Sequence, residues 1–278
     1  MKKLTFVLVL VLIMAFGLAS VAYAITNGQP DGDNHSYVGI LVFDVGGVPA
    51  WRCSGALIAP DVVLTAGHCT DGADGARVWF NEKLQDEEGN FLVPDYPWGG
   101  VVAVEGTPYT NPDYRSADNP YSGGNGLPAF SYRDVGVVIL DEPVYMDEMA
   151  ELPDAGLVDT LKNKTDVDFV GYGVQEELRG GGPPYWVGLR NRLYAPYQLV
   201  SGKFVHSAEF MRLSLNASQD KGGTCFGDSG GPDLLGGTNT VLAVNSYVTN
   251  YNCSGVGYSS RVDIPEILTW INTFMPQP

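Results

Sequence analysis

Short apolar runs, separated by clusters of Gly, Pro, Asn and Asp, follow one another along most of the chain. Many short strands at regular spacing, with turn signals between them, are typical of an all-β barrel or sandwich. The pattern therefore predicts an all-β fold. The predicted strands are residues 37–43, 56–58, 62–65, 78–80, 101–104, 135–140, 167–172, 189–199, 210–216, 241–247 and 258–262.

Two segments depart from this pattern. Residues 264–274 carry apolar side chains at helical spacing and Pro276 follows them, which predicts a helix near the end of the chain. Residues 108–132 are rich in Tyr, Pro, Gly, Asn and Asp, which predicts a long irregular loop. That loop either overhangs a functional cleft or is a tolerated surface insertion.

The first 24 residues have the features of a signal peptide. Lys2 and Lys3 precede an apolar stretch at 4–21, and small residues at Ala22 and Ala24 predict cleavage after Ala24. The alternative is an uncleaved membrane anchor, because the apolar stretch is near the lower limit of a bilayer span. We favour the signal peptide, and therefore a secreted mature chain of residues 25–278 with no membrane contact. That length suits a large single domain or two fused halves.

The charge balance is strongly acidic. Asp and Glu together number 32 against 16 Lys and Arg, a formal net charge of −16. Such a surface disfavours nucleic acids and anionic membranes as partners.

The chain has 4 Cys and none of them lies in a metal-binding spacing. In an exported protein they predict two disulfides, for which three pairings are possible. The simplest pairing joins sequence neighbours, Cys53 to Cys69 and Cys225 to Cys253. Each bond would then constrain one of the two segments that carry candidate chemistry.

Those two segments are 64–69 (Leu-Thr-Ala-Gly-His-Cys) and 227–232 (Gly-Asp-Ser-Gly-Gly-Pro). A serine hydroxyl is a poor nucleophile unless a base takes its proton and a third group orients the base. We therefore expect His68 to act as general base towards Ser229 and then as general acid towards the leaving amine. The backbone N–H groups of Gly227 and Ser229 can converge on a developing oxyanion, because Gly227 has no side chain in the way.

The orienting group is predicted to be Asp134. It directly precedes the apolar run 135–140, and a carboxylate in that place is costly unless it is paired. Asp113, Asp118 and Asp141 lie nearby, but none of them leads into the buried run.

These segments resemble the three motifs of the chymotrypsin/trypsin-like serine endopeptidase family, in the family's chain order of His, Asp and Ser. The resemblance extends from Ile25 to the C-terminal helix. It implies two packed six-stranded antiparallel β-barrels, a catalytic cleft between them, and protein or peptide substrates. It also implies that Ser246 supports Asp134. We expect a monomer.

The same resemblance implies an activation step. Family members become active when a new N-terminal amine folds inward and pairs with the Asp beside the nucleophile. Here Ile25 fits the new N-terminus and Asp228 fits its partner. Because the predicted signal cleavage falls directly before Ile25, export itself would release the activating amine.

The resemblance further places Gly223 and Thr224 at the base of the primary specificity pocket and Val248 on its wall. No acidic residue stands there to pair with Lys or Arg, and Val248 should shorten the pocket. We therefore expect cleavage after small or medium uncharged residues. Thr224 could also bind a substrate carboxylate, but no His accompanies it.

No cofactor is required by this chemistry. Residues 81–90 occupy a loop where some family members bind Ca²⁺, and oxygen ligands are plentiful in it. A solvated acidic loop without an ion is the reading that we favour. Two other functions stay open: a catalytically silent binding protein on a protease fold, and an acyl hydrolase that acts on esters. The intact triad favours the endopeptidase.

Overall fold

The computed structural model describes residues 28–115, 131–174, 176–178, 185–200, 208–215, 223–248, 253 and 255–276. The predicted signal peptide, Ile25 and residues 116–130 of the predicted loop lie outside this part of the chain. No helix within these ranges is long and apolar enough to cross a membrane.

Six strands of the N-terminal half close into an antiparallel barrel with the order β2-β3-β4-β7-β6-β5. Almost every residue of β2 and β4 is buried, because a closed barrel fills its interior with side chains and its outer face packs on neighbouring segments. The strands are β2 (Val38–Val45), β3 (Val48–Ala59), β4 (Val62–Thr65), β5 (Gly75–Trp79), β6 (Val104–Thr110) and β7 (Gly136–Leu140). One helical turn, α1 (Gly67–Thr70), follows β4.

The C-terminal half is a seven-stranded antiparallel sheet with the order β1-β11-β8-β13-β14-β15-β12. A bridge between Leu199 and Leu213 brings the end of β11 next to β12, so six of the strands curl into a second barrel. The strands are β1 (Gln29–Pro30), β8 (Asp166–Gly171), β11 (Leu193–Gln198), β12 (Phe210–Leu215), β13 (Pro232–Leu235), β14 (Val241–Val248) and β15 (Gly255–Arg261). A separate hairpin joins β9 (Glu176–Leu178) and β10 (Tyr185–Val187), and the helices are α2 (Leu157–Thr160) and α3 (Pro265–Asn272).

The two halves share a continuous core. The buried cluster of the first barrel includes Val170 and Tyr172 from the second half and Ile267 and Ile271 from α3. Burying an aliphatic side chain of this size contributes roughly 1.5–3 kcal/mol, so the shared cluster fixes one barrel against the other. The position of one barrel against the other is consequently a fixed feature of the fold.

The structure confirms the two packed antiparallel barrels and the C-terminal helix. The predicted strand at 101–104 is wrong, because Val101 is fully exposed and the strand in this region begins only at Val104. Two glycines with positive φ, Gly99 and Gly100, turn the chain just before it and keep Val101 and Val102 out of the sheet.

Candidate active site

His68 lies in the short helical turn α1, directly after the buried strand β4. A disulfide joins the next residue, Cys69, to Cys53 of β3. Gly67 allows a close approach here, since a Cβ atom at that position would lie 3.2 Å from the carboxylate of Asp134. The turn is thus held from both sides, and the ring of His68 has little freedom to move away.

Asp134 precedes β7 and is completely buried. Its carboxylate accepts hydrogen bonds from His68 Nδ1 at 2.8 Å, from the His68 backbone N–H at 2.7 Å and from the hydroxyl of Ser246. Burial alone would raise the pKa of this carboxyl, but attraction to His68 and the hydrogen bonds outweigh burial and lower it. Asp134 is therefore an ionised group that fixes the orientation of His68.

The ring of His68 remains accessible, with 32% of its side chain exposed. Burial pulls the pKa of His68 down, but the charge and hydrogen bond of Asp134 have the larger combined effect and raise it above 6.5. Since Nδ1 is engaged with Asp134, Nε2 is the nitrogen left for a reacting group.

Ser229 lies in a tight turn between Gly227 and Gly230, both of which have positive φ values, 94° and 78°. A Cβ atom at Gly230 would lie 2.6 Å from the carbonyl oxygen of Ser54 and would clash with it. The carbonyl of Ser229 accepts a hydrogen bond from Ser54 N at 2.8 Å, and Gly230 N donates to Asn245 O at 2.8 Å. The serine turn is thereby bonded to β3 on one side and to β14 on the other.

The strand β3 links the histidine and serine segments directly. Cys53 forms a disulfide with Cys69, and the backbone N–H of the next residue, Ser54, donates a hydrogen bond to the carbonyl of Ser229. Both residues are described, yet no hydrogen bond joins the Ser229 hydroxyl to His68. Among the described residues, His68 Nε2 makes one weak hydrogen-bond contact, with Cys69 Sγ at 3.7 Å. Catalytic hydrogen bonds are often long without substrate and tighten when it binds.

The backbone N–H groups of Gly227 and Ser229 have no acceptor among the described residues, although those of Asp228, Gly230 and Gly231 all do. Unpaired backbone donors at a structured turn are uncommon in folded proteins. The Gly227 carbonyl is held by Ser54 Oγ at 3.1 Å, which fixes the orientation of the turn. The turn can therefore donate two hydrogen bonds to an oxyanion.

Asp228 is completely buried in the protein, next to Ser229. Its carboxylate accepts hydrogen bonds from Gly173 N and Cys225 N, each at 2.8 Å. Burial raises its pKa to about 7, despite these bonds and the nearby charge of Arg52. Its predicted partner, the amine of Ile25, falls outside the described residues.

The predicted specificity residues lie together beyond the serine turn. A Cβ atom at Gly257 of β15 would lie 3.3 Å from the hydroxyl oxygen of Thr224, and Gly257 pairs with Val248 of β14. Gly223 is buried beside Thr224, and the disulfide Cys225–Cys253 fixes this region. The side-chain oxygen of Thr224 is buried and has no hydrogen-bond partner among the described residues.

Several side-chain oxygens of the predicted Ca²⁺ loop are engaged within the protein. The Asp86 carboxylate accepts from Asn90, Glu82 accepts from Gly32 N at 3.2 Å, and Gln85 Oε1 accepts from Arg190 N at 2.8 Å. The loop is thus anchored to the second half of the molecule, while Glu87 and Glu88 are exposed.

Only one group of three metal-ligating residues lies close enough together in the described ranges, namely Cys53, His68 and Cys69. Its two cysteines form a disulfide and therefore offer no thiolate.

An ion pair that the sequence did not reveal joins the N-terminal segment to the second barrel. Arg192 is 1% exposed and donates from Nε to Asp31 Oδ2 at 2.8 Å, while its other nitrogens bind backbone carbonyls that include Gly32 O at 2.7 Å. The partners are 161 positions apart in the chain, so no local pattern could have indicated the contact.

Two packed β-barrels with a buried aspartate, an oriented histidine and a glycine-rich serine turn at their junction define the trypsin-like class of proteins. The sequence model of the Trypsin family matches residues 25–271, so the chain belongs to that family.

Among similar proteins, Proproteinase E of Bos taurus is 26% identical over 248 residues, which cover 84% of this chain and 85% of that protein. Trypsin theta of Drosophila melanogaster is 29% identical over 235 residues, covering 79% of this chain and 74% of the relative. Chymotrypsin-like elastase family member 3B of Macaca mulatta is 27% identical over 214 residues, covering 73% of each chain.

Solved structures share the same fold. HL collagenase superposes with a TM-score of 0.65 at 20% identity, covering 91% of this chain and 100% of the other. A mutant of human heparin binding protein superposes with a TM-score of 0.60 at 18% identity, with the same coverage of both chains. At these identities the likeness shows the fold alone.

Proposed function

We propose that the protein is a secreted serine endopeptidase that cleaves peptide bonds through an acyl-enzyme formed on Ser229. The observation that carries this proposal is the pair of unpartnered N–H groups at Gly227 and Ser229, on the same turn that presents the serine hydroxyl. A turn with this arrangement can stabilise the tetrahedral intermediate of acyl transfer, and each donor contributes about 3 kcal/mol.

Each residue of the site has its own role in the proposed reaction. His68 Nε2 takes the proton of the Ser229 hydroxyl as the oxygen attacks the substrate carbonyl, and Asp134 stabilises the resulting imidazolium. The N–H groups of Gly227 and Ser229 bind the oxyanion. His68 then gives the proton to the leaving amine, and water repeats the sequence on the acyl-enzyme to release the acid.

The proposed substrate preference is for small or medium uncharged residues before the scissile bond. Thr224, Gly257 and Val248 lie together beside the serine turn, and none of them carries a charge. A cationic substrate side chain would lose its hydration there without gaining a partner.

Activation is proposed to occur when a signal peptidase exposes the amine of Ile25. Asp228 supports this step because its carboxylate is buried with only N–H donors around it, and a cation would lower its raised pKa. Pairing of the two groups would hold the turn that contains Ser229.

A second candidate, a binding protein without catalysis, is favoured by two observations. No hydrogen bond joins the Ser229 hydroxyl to His68 Nε2 in this structure, and a solved structure with the same fold is a mutant of human heparin binding protein. Heparin is a polyanion, however, and this chain has a net charge of −16, so a polyanionic ligand is disfavoured.

The test is to label the secreted protein with a serine-reactive fluorophosphonate and to read the intact mass of the same sample. We expect labelling of a chain that begins at Ile25, and loss of labelling in Ser229→Ala. Ser214→Ala, which changes a serine of β12, is the control and should still be labelled. Absence of labelling on a chain that begins at Ile25 would refute the endopeptidase and support the binding protein.

A further inference from the structure

Arg52, on strand β3, lies directly against the oxyanion turn. A Cβ atom built on Gly227 would lie only 2.5 Å from Arg52 Nη1. The same nitrogen donates to the carbonyl of Tyr172 at 2.9 Å, which fixes the side chain in this place. No other hydrogen bond of the guanidinium is present among the described residues, so its remaining N–H groups are available to a ligand.

Arg190 is the second positive charge of this region. Its backbone is fixed by the loop before it and by residues 84 and 85, because Leu84 N donates to Arg190 O at 2.9 Å and Arg190 N donates to Gln85 Oε1. Its side chain donates from Nη1 to Gly188 O at 2.6 Å and also interacts with the Tyr96 hydroxyl, whereas Nε is buried without a hydrogen-bond partner among the described residues. Burial and the charge of Arg190 together lower the pKa of Arg52 to about 10, since each guanidinium lies in the field of the other.

Neither of these arginines has a carboxylate within ion-pair distance in the described ranges of the chain. Four other arginines with little exposure, in contrast, each contact one or more carboxylates. They are Arg77, Arg133, Arg192 and Arg261. In a protein with 32 acidic residues, two neighbouring guanidinium groups with no carboxylate in ion-pair contact form a site where an anion would be stabilised, since the buried Asp228 acts on Arg52 only from beyond that distance.

The position of Arg52 relative to the scissile bond follows from the histidine segment. Arg52 reaches Gly227 from β3, and the next residue, Cys53, is joined by a disulfide to Cys69, the neighbour of His68. His68 protonates the leaving amine in the proposed reaction, so the leaving-group residues lie on the His68 side of the turn. A peptide whose carbonyl oxygen lies between the N–H groups of Gly227 and Ser229 would therefore direct its leaving-group residues past Arg52.

We propose that Arg52, supported by Arg190, forms a subsite for an aspartate or glutamate side chain on the leaving-group side of the scissile bond. This inference rests on the proposed endopeptidase function. A guanidinium presents two parallel N–H groups that match the two oxygens of a carboxylate, which makes the arrangement selective for an acidic side chain over an amide.

The experiment uses three internally quenched peptides that are identical except for the first two residues after the scissile bond, which are both Glu, both Gln or both Lys. All carry Ala before that bond, and mass spectrometry of the products identifies the bond that is cleaved. We expect kcat/KM to be about tenfold higher for the Glu peptide than for the Gln peptide, as one charge-assisted hydrogen-bonded pair provides, and lowest for the Lys peptide.

Substitutions of the two arginines test the assignment. Arg52→Gln should reduce the ratio of Glu to Gln cleavage to less than about twofold, and Arg52→Lys should retain part of it, because a lysine keeps the charge but not the paired N–H groups. Arg190→Gln should reduce the ratio by a smaller factor. Lys162→Gln removes the same charge at an exposed position and is the control, for which we expect the wild-type ratio.

Each unfavourable outcome has a separate meaning. Equal cleavage of the three peptides by wild-type protein that reacts with fluorophosphonate would overturn the acidic subsite and leave the endopeptidase standing. If Arg52→Gln slowed all three peptides to the same extent, Arg52 would only support the oxyanion turn through Tyr172, and the subsite would again be wrong. Absence of both cleavage and labelling would refute the proposed function itself.

Discussion

The orientation of His68 depends on Asp134, because the carboxylate of Asp134 accepts hydrogen bonds from both the ring and the backbone of His68. Ser246 adds a third donor, so the buried charge is fully satisfied. Removing the charge while keeping the shape should therefore disturb catalysis far more than folding.

Asp134→Asn should lower kcat by about 10⁴-fold, because the amide cannot hold His68 in the required tautomer or stabilise its imidazolium. The pH profile of kcat/KM gives a second readout. His68 must be neutral to act as a base, and Asp134 raises the pKa of His68 above 6.5. Wild-type activity should therefore fall as the pH drops through this raised pKa. In the Asn variant this acid limb should move to lower pH.

Asp113→Asn is the matched control, because Asp113 carries an exposed carboxylate whose described ion pair, with Arg133, is 3.4 Å long. It should leave both kcat and the acid limb unchanged. An Asn variant of Asp134 that kept wild-type kcat would exclude Asp134 from the triad.

The sequence predicted candidate roles for residues that lie in a characteristic short segment, but not for residues whose role depends on contacts with distant parts of the chain. His68, Asp134 and Ser229 each stand in a short segment with a chemical reason for its composition. Arg52 gave no such signal, because its role depends on Gly227 and Tyr172, which only the folded chain brings to it.

At the level of single elements, strand β13 has an unusual composition. It begins with Pro232, whose missing N–H is tolerated at the first residue of a strand, and continues with the completely buried Asp233. Burial raises the pKa of Asp233 to about 7, and its carboxyl is hydrogen-bonded by the hydroxyl of Tyr197. The proline and the acid interrupt the apolar pattern, which is why this strand was not predicted from the sequence.

Asp233 should make the protein less stable as the pH rises. Its pKa is about 7 in the folded protein but 3.8 in a free side chain, so between these values the folded state binds more protons than the unfolded state. The contribution of Asp233 to the free energy of unfolding is fully present below pH 3.8, and it is lost as the pH rises through 7. The loss amounts to at most about 4 kcal/mol.

Urea unfolding at pH 5 and pH 8 measures this effect. Asp233→Asn cannot ionise, so the decrease in the free energy of unfolding from pH 5 to pH 8 should be smaller than in wild type by roughly 1–3 kcal/mol. Asp166→Asn, which changes an exposed acid of β8, is the control and should follow wild type. The idea fails if the Asn variant loses as much stability as wild type between the two pH values.

Strands with regular apolar spacing were predicted well, because β-branched residues at those positions had to face a core. The strand at 101–104 was predicted wrongly for a physical reason: Gly99 and Gly100 adopt positive φ and redirect the chain, which the valines that follow them do not reveal. Strand composition alone cannot detect such a turn.

At the level of the whole molecule, the pair Asp31–Arg192 joins the N-terminal segment to the second barrel, beside the pairing of β1 with β11. Both side chains are almost completely buried, and Tyr172, at the junction of the halves, also receives a hydrogen bond from Arg192. Removing Asp31 would leave Arg192 as an unpaired buried charge, and removing Arg192 would leave the buried Asp31 with His35 as its remaining ion-pair partner among the described residues.

Arg192→Met should therefore decrease the free energy of unfolding by about 3–5 kcal/mol. The double variant Asp31→Asn with Arg192→Met should be more stable than the sum of the two single changes predicts, because it leaves no charge unpaired. Urea unfolding of all four proteins forms the thermodynamic cycle. Additive effects would show that the two side chains are not energetically coupled.

Strand β3 gives the molecule a safeguard against partial activity. Three consecutive residues of this one strand contact the oxyanion turn through Arg52, the histidine segment through the Cys53 disulfide and the serine turn through Ser54. A shift of β3 by a single residue would turn all three side chains to the opposite face at once. In the proposed mechanism, a misregistered chain would thus lose its base, its nucleophile and its substrate contact together, and this folding error would yield inert protein instead of an enzyme with altered specificity.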